Sequence, residues 1–238
     1  MRLRRAHRGF TLVELMVALF ALALLAILSW RGLDGMTRAQ AQTSSRSDEV
    51  LTLQVGLAQW AADLDALIEL PNTTALNWNG RVLRMTRRSS TSVADGVLVV
   101  AWTRRIENGN GVWLRWQSPQ VTSRGDLDQA WQQADVWSQN PGDELRRREV
   151  AIVPLQDWEI FFYRADAWTN PQSSDAATAQ ASPTSSGGAS APVNPFASAP
   201  QSNVPEGVRL VLQLPPGQSI SGQIVRDWVR PTLGGNKS

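Results

Sequence analysis

The longest apolar stretch of the chain runs from Phe10 to Leu28, FTLVELMVALFALALLAIL, nineteen residues with one ionisable member, Glu14. A helix rising ~1.5 Å per residue carries such a run across ~28 Å, close to the ~30 Å hydrocarbon thickness of a bilayer. The pattern predicts a membrane-spanning helix over residues 10–31, and no second apolar run of that length follows. Farther on, apolar positions recur at Val50, Leu53, Leu57, Trp60, Ala61, Leu64, Leu67 and Ile68, the spacing of one helical face. The helix is therefore expected to continue over residues 32–70 and to end at Pro71, with Gly32 and Gly35 as a hinge just past the membrane exit.

After Pro71 the period changes to short β-rich runs bounded by Asn, Gly, Ser and Pro. They are Arg81 to Arg87, Val97 to Thr103, Val112 to Trp116, Val150 to Leu155, Trp158 to Tyr163, Val208 to Leu214 and Ile220 to Val225. Asn108-Gly109-Asn110-Gly111 joins the second to the third with residues that accept positive φ, so a hairpin is expected there. In a regular strand Trp113 and Trp116 fall on opposite faces, which predicts that one is exposed. Residues 170–203, rich in Ser, Ala, Pro, Gly and Thr, are read as a disordered loop between two strands; a partner-binding arm around Val193 to Phe196 is the competing reading. The expected fold is α+β: a long N-terminal helix packed on an antiparallel sheet domain, residues 71–230, of six or seven strands, possibly in two sheets, with a flexible tail over 231–238.

The arginines at positions 2, 4, 5 and 8 precede the apolar run, so the positive-inside bias keeps Met1 cytoplasmic and sends the chain after Trp30 across the inner membrane. A cleaved secretory signal also has a basic start and an apolar middle, but its apolar region is normally ~7 to 15 residues and ends in a small-residue cleavage site. Here the run is longer and leads into Ser29-Trp30-Arg31-Gly32. Glu14 sits inside it, where an uncompensated carboxylate is costly and marks a functional position with a partner to be named.

The segment Arg8-Gly9-Phe10-Thr11-Leu12-Val13-Glu14-Leu15-Met16-Val17-Ala18-Leu19 resembles the class III signal of type IV pilins and pseudopilins. The resemblance implies a leader of residues 1–9, cleavage by prepilin peptidase between Gly9 and Phe10, N-methylation of Phe10, and a Glu14 that meets the Phe10 ammonium of a neighbouring subunit. Such a pair offsets two charges that are each expensive in lipid, and only when subunits stack in register. A small residue at Gly9 gives the protease access to the backbone. Within the superfamily, the lack of cysteine points away from major pilins with their C-terminal disulfide loop. The presence of Glu14 points away from the GspK type. The stretch from Ala18 to Leu25, then Trp30-Arg31-Gly32-Leu33-Asp34, and the helix turn Trp60 to Leu64 resemble the GspJ family of minor pseudopilins. That resemblance implies a place in the type II secretion system, with GspI, GspK and GspH as partners and no cofactor. A PilW-like minor pilin is the alternative within the superfamily.

Composition narrows the chemistry. The chain has no Cys, and its one histidine, His7, lies in the expected leader, so a processed chain holds neither thiolate nor imidazole for catalysis or metal binding. The formal charge of +2 also comes from the leader, which holds four of the 23 basic residues and leaves 19 against 21 acidic ones, a net −2. That removes the global argument for nucleic acid as a partner. The clusters Arg87 and Arg88, Arg104 and Arg105, and Arg146 to Arg148 are read as solvated strand ends, and the 11 Trp as core and strand packing. Asp63 with Asp65 and Asp126 with Asp128 are the carboxylate pairs open to acid–base or calcium chemistry, but residues at i and i+2 of a helix do not share a face, and the second pair lacks further EF-hand ligands. An enzyme and a metal site are therefore not expected.

Overall fold

The structure is a computed structural model that describes residues 11–89, 96–164, 166–172 and 204–231. The leader 1–9, Phe10, the loop beyond Gln172, its Val193 to Phe196 arm and the tail beyond Pro231 lie outside the described residues. The chain divides into two compact units, Met1–Asp48 and Glu49–Ser238. Helix α1, Leu12–Asp65, contributes to both.

In the first unit α1 is exposed on every side. Helical structure continues through Gly32 and Gly35, and a Cβ added at either would meet nothing, so the expected hinge does not appear as a break.

In the second unit α1 buries Leu53, Gly56, Trp60, Asp63 and Leu64. The helix stops at Asp65, short of the expected Pro71. The β-domain captures the backbone there: Ile68 N donates to Thr86 O, Arg88 N to Ala66 O, and Leu67 forms a bridge with Arg87.

Among the described residues nine strands follow in two antiparallel sheets. The first contains β1 (Leu76–Trp78), β2 (Val82–Arg88), β3 (Val97–Glu107), β4 (Asn110–Gln117) and β5 (Glu149–Pro154), in that order. The second contains β6 (Asp157–Arg164), β7 (Ala167–Thr169), β8 (Gly207–Leu214) and β9 (Gly222–Val229), in the order β7-β6-β8-β9. The α+β architecture and the split into two sheets are as expected from the pilin-like pattern. The β3–β4 hairpin turns at Asn108 and Gly109, with φ of 50° and 83°, as its Asn-Gly sequence requires. The last strand runs later than the expected Ile220 to Val225, because pairing of Leu214 with Gly222 through Gly207 with Val229 sets its span.

Helices α2 (Arg124–Gln139) and α3 (Asp143–Arg146) interrupt the β-rich half and were not expected. Ser123 caps α2 by accepting from Asp126 N at 3.2 Å, a Ser-x-x-Asp signal visible in the sequence. The helix covers the second face of the first sheet and corrects the reading of the strand tryptophans. Trp113 and Trp116 do point to opposite faces, yet both are fully buried. Trp113 joins a core with α1 and the second sheet; Trp116 lies against Trp137 of α2, ring centroids 6.2 Å apart. The first core spans both sheets, and Trp78 of β1 meets Trp158 of β6 edge-on at 4.8 Å.

Candidate functional site

The described part of the signal begins at Thr11. Glu14 Oε2 accepts from Thr11 N at 3.1 Å and Thr11 Oγ1 at 3.0 Å, while Glu14 N donates to Thr11 Oγ1 at 3.3 Å. This is the reciprocal capping box of a Thr-x-x-Glu start, which satisfies helix donors that have no carbonyl partner. The sequence carried that signal in plain view at positions 11 and 14, beside the pilin-like reading of the same glutamate. Leu12 and Val13 are 75% and 67% exposed, and the helix contains an eighteen-residue window of mean hydropathy 2.6 with none of it buried. A helix apolar on all sides and covered by nothing is compatible with a single-pass membrane anchor.

The carboxylate pair at the end of α1 serves another purpose. Asp63 is completely buried, at the i+3 position from Trp60 on the apolar face. It accepts from Arg87 Nη1 at 2.5 Å, Trp102 Nε1 at 2.9 Å, Arg115 Nε and Nη2 at 2.8 and 2.9 Å, and Gln59 Nε2 at 2.9 Å. Arg87, Trp102 and Arg115 stand on β2, β3 and β4, side by side in the sheet, and Gln59 on α1 itself. Five donor contacts occupy both oxygens of this carboxylate, and breaking a buried pair on one side costs about 3–5 kcal/mol. Asp65 turns the other way and accepts from Trp228 Nε1 of β9 at 2.7 Å.

Arg87 is consequently 7% exposed, and Arg105 is held by Glu107, by both oxygens of Glu149 at 2.8 Å and by Trp137 O. The expectation of solvated strand ends fails for both: each strand position faces a covered side of the sheet and brings its own anion. On the α2 side Arg84 reaches Asn77 Oδ1 at 2.8 Å, and burial draws its guanidinium below the ordinary value while Asp135, 3.7 Å away, works in the opposite direction. Sequence reasoning missed these partners because strand parity could not be read before the register was known. The retrievable signal was a carboxylate inside an apolar helical stripe.

The second carboxylate pair opens α2. Asp126 accepts from Ser123 Oγ at 2.6 Å and belongs to the cap, and Asp128 lies exposed beyond it. Among the described residues no group of three or more His, Cys, Asp or Glu side chains is arranged to hold a metal ion.

Residues 4–30 match the family described as the prokaryotic N-terminal methylation motif. That motif fits a type IV pilin-like protein and spans both the candidate cleavage position and Glu14. No curated protein and no solved structure matches the chain.

Proposed function

We propose that this chain is a minor pseudopilin of the GspJ type, a structural subunit rather than an enzyme, that joins GspI, GspK and GspH in a complex priming a short periplasmic pseudopilus for export of folded proteins. The observation that carries the pilin-like part of this reading is the methylation motif over residues 4–30 with Glu14 inside an uncovered apolar helix, and the choice of the GspJ type rests on the resemblance of Ala18 to Leu25, Trp30 to Asp34 and Trp60 to Leu64. In this reading prepilin peptidase cuts after Gly9, Phe10 becomes the methylated amino terminus, and Glu14 exchanges its bonds to Thr11 for the ammonium of a neighbour's Phe10. Residues 10–31 anchor the chain in the inner membrane, and the part from Glu49 onward folds in the periplasm. The β-rich unit and its buried ionic centre supply a rigid body for subunit contacts.

Coexpression of the full chain with prepilin peptidase tests the first step. Gly9→Leu is expected to leave a precursor longer by the leader on a gel, and normal processing of that variant overturns the assignment. Copurification with candidate GspI and GspK subunits tests the second, with Glu14→Gln expected to reduce assembly while leaving cleavage intact. The motif fits a PilW-like minor pilin equally, and retention by pilus subunits instead of GspI and GspK selects that alternative.

A further inference from the structure

Among the described residues the two sheets have four edge strands, and three are blunted. Strands β1 and β7 are three residues each, and β5 faces a register shift at Trp113/Leu114 and ends in Pro154. Short edges, bulges and proline are the usual guards against stray pairing. The fourth edge has none of them. Strand β9 runs eight residues without proline, in unbroken register with β8, and among the described residues pairs with β8 alone.

The orientation of its backbone follows from Arg230 N donating to Glu206 O at 2.8 Å. That contact makes the opposed residues a hydrogen-bonded pair, and the antiparallel alternation then turns the N–H and C=O groups of Gln223, Val225 and Asp227 toward the free edge. The flanking side chains are specific. Val225 and Val229 are 50% and 72% exposed on one face. Asp227 on that face is taken by Arg209, both oxygens at 2.7 Å. Arg226 points to the other face, is exposed, and no described residue pairs with it.

We propose that the free edge of β9 receives an extended segment of a different polypeptide, one with a carboxylate opposite Arg226 and apolar side chains opposite Val225 and Val229. Main-chain bonds to the edge give the affinity in this mode of recognition, and the alternating side chains give the choice of partner. A second copy of β9 fits poorly. Opposed residues in an antiparallel pair share a face, so Asp227 of another copy cannot stand opposite Arg226. The inference rests on the sheet alone and stands or falls independently of the secretion reading.

The test uses the full chain in detergent micelles and a labelled peptide, acetyl-Val-Thr-Thr-Glu-Val-Thr-Thr-amide, whose Glu falls opposite Arg226 in the antiparallel register. Fluorescence anisotropy is expected to show saturable binding below about 1 mM, the weak end of specific association. Replacing the peptide Glu by Lys is expected to weaken binding about tenfold, and Arg226→Glu is expected to reverse that preference. Val225→Pro removes an outward N–H without touching the β8 ladder, and is expected to abolish binding with unchanged circular dichroism. No saturable binding, equal affinity for the Glu and Lys peptides, or undiminished binding to Val225→Pro overturns the proposal. Hydrogen exchange of the free chain is the second arm: fast exchange at Gln223, Val225 and Asp227 is expected, and protection equal to that of Ile224 and Arg226 overturns it, showing an edge already occupied by the chain's own residues or by a second copy.

Discussion

Asp63 and Asp65, two residues apart in the last turn of α1, accept indole N–H groups from different sheets, Trp102 on β3 at 2.9 Å and Trp228 on β9 at 2.7 Å. The i, i+2 spacing that removes them as an acid–base pair lets one helical turn fasten to both sheets at once.

Asp63→Ala is expected to destabilise the β-rich unit by about 3–5 kcal/mol, since it strands the Arg87 and Arg115 guanidinium groups in the core. Trp228→Phe removes one bond to a more exposed carboxylate and is expected to lose about 1–2 kcal/mol. Urea unfolding of a fragment beginning near Gly35 measures both, and equal losses would show that the two aspartates are not distinguished by burial.

Gly56 lets the helix approach the first sheet. A Cβ there would lie 2.3 Å from Ile152 Cγ2 and 3.4 Å from Trp113. Gly56→Ala gains about 1 kcal/mol of helix propensity and loses about 1–3 kcal/mol to overpacking against a stiff β-branched neighbour. The expected net effect is destabilising. Adding Ile152→Ala, which deletes the clashing methyl, is expected to make the double variant more stable than the sum of the single losses; strict additivity in the cycle would show that the two sites do not touch.

Ser123→Ala is expected to lower stability by about 1 kcal/mol through loss of the α2 cap. Because α2 shields Trp116, emission from buried tryptophan is expected to shift at lower urea in this variant, and an unchanged midpoint would place the helix start elsewhere.

Asp227 is held below the ordinary aspartate pKa by its hydrogen bonds from Arg209, against a smaller opposing effect of burial and with help from the guanidinium charge. A lowered folded pKa means that the contribution is fully present above the unfolded value of about 3.9 and is lost as pH falls through the lower folded value. The stability difference between the natural chain and Asp227→Asn is therefore expected to be constant near neutrality, to shrink below about pH 4, and to diminish in high salt as an exposed pair should. A difference that grows with acid would reverse the sign of the linkage.

The long helix, the Asn-Gly hairpin and seven of the nine strands were legible because each depends on local period and turn chemistry. The three-residue strands Leu76–Trp78 and Ala167–Thr169 were not, since they exist only through pairing with β2 and β6. Helix α2 was missed although Ser123 and Asp126 announce it, because tryptophans at Trp131 and Trp137 read as strand formers and the helix's apolar face is thin. The reading of Glu14 rests on the residues around it. The partners of Asp63 depend on strand parity and the register of three strands, which no local pattern encodes.

The bonds that Asp63 accepts from Arg87, Trp102 and Arg115 come from three adjacent strands. Force reaching the last turn of α1 is therefore divided among three strands, whereas a lever acting at one strand would break them in turn. Gly56, seated against Ile152, adds a close contact with a fourth strand, β5. The last turn of α1 and the β-rich sheet meet as a load-sharing joint, so that the weakest single bond does not set the strength of the whole.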